Sequence, residues 1–237
     1  MCFDLDIFMT ALKALIAGLN PWAVQGFCSP PWTLLAIAPV VWLPMWLAKA
    51  IWMLLSICAF WAVARKLTPS IWHALAFILS YPVLHSVLIG NLDWLVLLAL
   101  IAPDWLGTLL CLLKPHTSFT LLAKRAYNRR NWLNIVALGL ALTSPLFLLI
   151  APNASLEMGA LSNVSSFPWF LALGAYLFYL ALKQDDDVLA LAAACCISPQ
   201  VSISALPVLG LLVARFKWGW LVLLAQWGLI IVFKAYT

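Results

Sequence analysis

Long apolar stretches with charges held to their ends constrain this chain more than any other feature. "MWLAKAIWMLLSICAFWAVARK" is one, and "GNLDWLVLLALIAPDWLGTLLCLLKPH", Gly90 to His116, is another. A helix needs about 20 mostly apolar residues to cross ~30 Å of hydrocarbon. The chain is 66% hydrophobic and 9% charged, whereas a soluble domain carries about 25% charged residues. The apolar runs are continuous rather than alternating over about ten residues, which excludes a barrel reading. The expected fold is therefore all-α, a polytopic membrane helical bundle forming one integral-membrane domain over 1–237.

Residues 1–31 differ from the rest. "DIFMTALKALIAGLNPW" places apolar residues at helical spacing with Asp6, Thr10 and Lys13 among them, and Gly18, Asn20 and Pro21 end it. This predicts a short amphipathic helix in the membrane interface, then a loop through "GFCSPPW", where adjacent prolines forbid a helix. A shorter apolar piece at 32–42 bends at "WLP". Spans are expected at 45–64, 70–89, 132–150, 166–182 and 218–234, while 188–214, interrupted by "SPQ", reads as a hairpin. Residues 32–237 thus form transmembrane helices and short loops. Met1 leads into "CFDLDIF" without a basic start or apolar core, so no cleavable signal peptide is expected.

Basic residues set the orientation. Arg65 and Lys66, the cluster Lys124, Arg125, Arg129 and Arg130, Lys183, Arg215 and Lys217 are expected in cytoplasmic loops. The N-terminal segment, Gly90–Asn91 and 151–165 then face the other side. The triplets "NAS" and "NVS" in 151–165 match glycosylation sequons but occur readily by chance. The net charge of +5 follows from these loop clusters and does not suggest nucleic acid. Cys2, Cys28, Cys58, Cys111, Cys195 and Cys196 show no metal-ligand spacing, and a Cys2–Cys28 disulfide is disfavoured. Three dispersed histidines offer no cage either, so neither metal nor cofactor is expected.

Charges inside the apolar runs are the candidates for chemistry. A carboxylate at the bilayer centre costs roughly 2.5–3.5 kcal/mol on insertion scales. Asp104, just after Pro103, would sit there if 92–113 were one straight helix. Alternatively Pro103-Asp104 turns the chain, Asp104 caps the next helix, and Lys114 and His116 return to the face of Asp93. Charge bias mildly favours the single helix. His73 and His85 read as packed polar residues. "KQDDD" at 183–187 reads as a solvated loop with Asp187 capping the next helix. Asp4 and Asp6 either serve a helix N-terminus or supply a general base at the membrane surface.

"DLDIFMTALKALIAGLNPW…FCSPPW" resembles the first extracytoplasmic loop of glycosyltransferase family 87, which includes polyprenol-phosphate-mannose-dependent mannosyltransferases. The family pattern is matched by Asp4, Phe8, Gly18, Pro21-Trp22, Phe27 and Pro30-Pro31. "LPMWLAKAIWMLLS", "GNLD", "LLKPH" and "SPQVSISALPVL" follow in the family's order. Phe8 stands where the family has Tyr, and His116 where it more usually has Gln. The family's first transmembrane helix has no counterpart before Asp4, and family members are generally longer.

The resemblance implies a C-type glycosyltransferase-like bundle, apparently lacking that first helix, in a bacterial plasma membrane. It would transfer a hexose, mannose by analogy, from a polyprenyl-phosphate sugar donor to a glycan or lipid acceptor on the extracytoplasmic face. Asp4 matches the family's general base, with Asp6 second. Lys114 would stabilise the departing phosphate with His116 as helper, and Asn91 and Asp93 would bind sugar hydroxyls. These roles favour the hairpin over the single helix at 92–113. Two other readings remain: a small transporter or channel lined by Asp93, Asp104 and Lys114, and a truncated, non-catalytic membrane partner.

Overall fold

The structure, a computed structural model, describes residues 3–27, 29–146, 165, 167–199 and 201–235. The described residues are helical, without a β-strand. Cys2 and Cys28, considered for a disulfide, and the sequon asparagines Asn153 and Asn163 lie outside the described residues.

Helix α1, Phe3–Ile16, carries Asp4 and Asp6 in its first turn and Lys13 in its last, the charge order that complements a helix dipole. Leu5, Met9 and Leu12 are buried, whereas Thr10, Lys13 and Ile16 are exposed. This is the amphipathic pattern expected from the sequence. Beyond Gly18 the Asn20 side chain accepts the Trp22 N–H at 3.0 Å and starts a short 3-10 turn, Pro21–Ala23. A second 3-10 helix, Pro31–Val40, fills the apolar piece before Pro44.

Helix α2, Met45–Leu67, is 23 residues long, or about 34 Å at 1.5 Å per residue. Among the described helices it is the one long and apolar enough to cross a membrane. Residues 70–89 depart from the expected single span. They form α3, Ile71–Ile78, and α4, Tyr81–Ile89, bent by 52°. Pro82 in the first turn of α4 supplies no N–H and crowds the preceding turn, so the helix restarts at Ser80.

Two short helices follow, α5 (Asp93–Leu98) and α6 (Asp104–Leu112), separated at Pro103. The chain reverses there, because Lys114 comes back to Asp93; the hairpin is the observed form. Asp104 does not cap α6: Pro103 takes that position, and the Asp104 carboxylate instead meets Arg129 and Asn134. Helix α7, Pro115–Arg129, then runs away from Lys114 and contains most of the basic cluster. Lys124 and Arg125 were expected in a cytoplasmic loop, yet they lie on a helix and are 1% and 2% exposed. The loop reading fails because carboxylates from other helices neutralise them inside the bundle.

Helix α8, Trp132–Thr143, is capped by Asn131 and ends at Ser144, so the single helix expected over 132–150 breaks there, before the described residues stop at 146. Helices α9 (Leu171–Gln184) and α10 (Asp187–Ile197) pack antiparallel. A Cβ on Gly174 would stand 2.6 Å from Ile197 Cγ1, so glycine permits this approach. The turn between them is not simply solvated. Asp186, rather than Asp187, caps α10 by accepting from the N–H groups of Val188 and Leu189. A 3-10 turn (Ile203–Ala205), α11 (Pro207–Ala214) and α12 (Gly219–Ala235) complete the chain.

Helix α10 is buried along its length and packs on α7, α9 and α11. The core beside it is aromatic and aliphatic, with Phe27, Phe60, Phe77, Leu121 and Leu122 shielded. Outside, Trp42, Trp46, Trp132 and Trp169 are largely exposed, as are Leu35, Leu54 and Leu142.

Candidate active site where Asn91 joins Asp4 and Lys114

Four segments converge at the start of α1. Helix α4 ends at Gly90, whose φ of +73° is a left-handed conformation that side-chain-bearing residues avoid. Trp52 of α2 donates from Nε1 to the Gly90 carbonyl at 3.1 Å and fixes that turn. Asn91 therefore faces back toward α1. Its Nδ2 donates to Asp4 Oδ2 at 2.6 Å, and its Oδ1 accepts from Lys114 Nζ at 2.8 Å. The same Oδ1 accepts the Asp93 backbone N–H at 3.2 Å, which holds the amide's orientation.

Lys114 Nζ also donates to Asp93 Oδ2 at 2.6 Å, and the two side chains are 12% and 3% exposed. Lys114 arrives in this position because it precedes Pro115, which begins α7. Ser118 Oγ donates to the carbonyls of Cys111 and Lys114 at 2.6 and 3.0 Å, joining the end of α6 to the start of α7. Burial raises the Asp4 pKa above the ordinary 3.8, opposed by the Lys114 charge and the Asn91 hydrogen bond. A carboxyl so placed is a stronger base, once deprotonated, than an exposed one.

The predicted site residues separate into two groups. Asp4, Asn91, Asp93 and Lys114 form one hydrogen-bonded chain across four helices' ends. His116 lies near enough to interact with the charges of Lys114 and Asp93, without a hydrogen bond to them. Asp6 points elsewhere: its Oδ2 accepts from Lys49 Nζ of α2 at 2.7 Å, and its Oδ1 is buried without a partner among the described residues. His85, expected as a packed polar residue, lies with its ring centroid 5.6 Å from that of Tyr81, and it also interacts electrostatically with Asp4, a link to the site that was not foreseen. Its sign in the sequence was its place one helical segment before "GN", on α4.

A second charged cluster occupies the far end of α7. Lys124 meets Asp185 at 2.7 Å and also Asp187. Arg125 Nη2 donates to Asp187 Oδ2 at 2.8 Å and to the Ala99 carbonyl at 2.7 Å. Arg215 pairs with Asp186 at 2.6 Å. An open groove of about 460 Å³ lies over this cluster, lined by Lys66, Arg129, Asp185, Asp187 and Arg215. Asp185 is 67% exposed, and its hydrogen bond from Lys124 keeps its carboxyl below the usual 3.8. Among the described residues no three His, Cys, Asp or Glu side chains gather as a metal cage.

Compared with protein-family models, curated proteins and solved structures, the chain matches none.

Proposed function

We propose that this chain is a multi-pass membrane glycosyltransferase that moves a hexose, taken as mannose, from polyprenyl phosphate to an acceptor hydroxyl. The carrying observation is that one amide, Asn91, holds the Asp4 carboxylate and the Lys114 ammonium at once. In the reaction Asp4 takes the acceptor hydroxyl proton while the acceptor oxygen bonds to the anomeric carbon. The anomeric carbon–phosphate oxygen bond breaks, and its electron pair leaves with polyprenyl phosphate. Lys114 meets the negative charge that accumulates there, with His116 beside it. Asp4 rather than Asp6 takes the base role because Asp6 is engaged by Lys49.

Membrane insertion is supported by α2 and by the aromatic and aliphatic side chains exposed around the bundle. Lys49 of α2 reaches Asp6 next to the site, whereas Lys66 reaches the Ile101 carbonyl at the opposite end. Those lysines are about 25 Å apart along the helix. The site and the basic face thus take opposite ends of α2, which suits an extracytoplasmic site over a cytoplasmic basic surface.

The test is mannose transfer from polyprenyl-phosphate mannose in membranes holding the full chain. Asp4→Asn and Lys114→Met are each expected to lower transfer by at least about 100-fold. Transfer unchanged by Asp4→Asn would remove this mechanism. A transport reading has one observation in its favour, the helix break at Pro103 with the buried Arg125 guanidinium beside it, held by the Ala99 carbonyl. Ion or solute flux through liposomes, without sugar transfer, would select it.

A further inference from the structure

Asp93, expected to bind a sugar hydroxyl, also makes a contact that bears on phosphate. Its carboxylate already holds the Lys114 ammonium at 2.6 Å in a nearly closed setting. The cation assigned to phosphate is thus already occupied by an anion belonging to the protein. Lys114 is one ammonium facing two carboxylates, Asp4 and Asp93, so with both ionised the cluster carries a net negative charge. An incoming phosphate diester meets like charge there unless one carboxylate gives way.

The arrangement beside Asp93 supplies the room. A cavity of about 10 Å³, near one water in size, has Asp93 and Thr117 as its polar walls, and its other walls, Leu97, Leu191 and Val208 among them, are mostly apolar. It lies against Asp93 and does not include Asp4, Asn91 or Lys114 among its walls. Thr117 there offers a hydroxyl, now donated to the Lys114 carbonyl at 3.1 Å. Asp4, by contrast, is tied to Asn91, and its base role needs it in place.

The geometry points to Asp93 as an internal stand-in for the donor's phosphate, displaced from Lys114 when a polyprenyl phosphate binds and swung toward the cavity under Thr117. This rests on the glycosyltransferase reading for the identity of the ligand, though the displacement concerns phosphate binding and not sugar transfer. Asp93 becomes a determinant of donor affinity: it keeps Lys114 neutralised between turnovers and sets how tightly the spent lipid phosphate is held. A residue that merely oriented Lys114 would have the opposite effect when altered.

The experiment measures binding of sugar-free polyprenyl phosphate to the full chain in detergent micelles. Asp93→Asn removes the competing charge and is expected to tighten binding about tenfold. Lys114→Met abolishes binding with either residue at 93. Because Asp93→Asn leaves Lys114 without its buried counter-charge, folding is checked by circular dichroism and thermal unfolding. Val208→Ile provides a second route, since its extra methylene fills the cavity and leaves every charge in place. That variant is expected to weaken phosphate-lipid binding several-fold while melting as the parent does. Weaker binding in Asp93→Asn, or unchanged binding in Val208→Ile, overturns the displacement. Binding that follows the expected pattern without mannose transfer overturns the glycosyltransferase reading alone. Failure of the parent chain to bind any phosphate lipid overturns both.

Discussion

Arg125 donates from Nη2 to the carbonyl of Ala99 at 2.7 Å, so the buried end of α7 holds the turn between α5 and α6. Asp187 holds the guanidinium in turn, through contacts to Nη2 and Nε of 2.8 and 3.2 Å. Helix α7 carries Lys114 at one end and this clamp at the other. The hairpin that places Asp93 is therefore supported from both sides. Arg125→Met is expected to destabilise the fold by about 3 kcal/mol, because a buried carbonyl and half of a buried ion pair lose their partner. Arg125→Lys should recover little, lacking the planar fork that serves Asp187 and Ala99 together. Thermal unfolding in micelles reads both.

Gly107 tests the same clamp from the other direction. A Cβ there would lie 2.5 Å from Arg125 Nη1 and 2.9 Å from the Ala99 carbonyl. Gly107→Ala is expected to cost about 1–3 kcal/mol. The penalty should shrink in the Arg125→Met background, since one of the two clashes is with the guanidinium. Additive losses in a double-mutant cycle would show that the two positions do not share this contact.

Asp4 and Asp6 sit two positions apart and are expected to behave differently. Asp6→Asn breaks a half-exposed pair with Lys49, and its effect on stability should stay within about 1 kcal/mol. Mannose transfer in that variant should remain within about tenfold of the parent, against a loss of at least about 100-fold in Asp4→Asn. Equal losses in the two would mean that the assignment of a single base is mistaken.

The pH dependence follows from the burial of Asp4. Its pKa lies above 3.8 in the folded chain. The base form is therefore lost on the acid side at a pH higher than that of an exposed aspartate. Transfer should fall as pH drops through that raised value. The stability effect has the reverse sign: the neutral carboxyl is the better buried form, so its contribution is present at low pH and fades as pH rises through the folded pKa. A pH–rate profile with its acid limb at or below 3.8 would contradict the first expectation.

The turn signals of the site are local and legible: Gly90-Asn91 ends one helix and Pro103-Asp104 admits a reversal. Their outcome was not, since charge bias favours a single helix over 92–113 and the hairpin that returns Lys114 to Asp93 is favoured by the family resemblance. The one long helix was plain from "MWLAKAIWMLLSICAFWAVARKL". What stayed hidden depended on partners distant in sequence. Lys124 and Arg125 read as a loop cluster because nothing near them announces Asp187, about sixty positions later. The exchange of roles between Asp186 and Asp187 likewise turned on which carboxylate faced α7. The break at Ser80 was signalled by Pro82 but outweighed, in a hydropathy reading, by the apolar run around it.

The left-handed backbone at Gly90 limits which substitutions that position can carry. Any missense change there installs a chiral centre at a dihedral suited to an achiral one, at roughly 1–2 kcal/mol. The larger effect is directional: a rotated peptide plane would take the neighbouring amide away from its acid and its base partner in one motion. Randomised libraries should accordingly come back nearly invariant at this codon whenever they are sorted for turnover, and more permissive when sorted for expression alone.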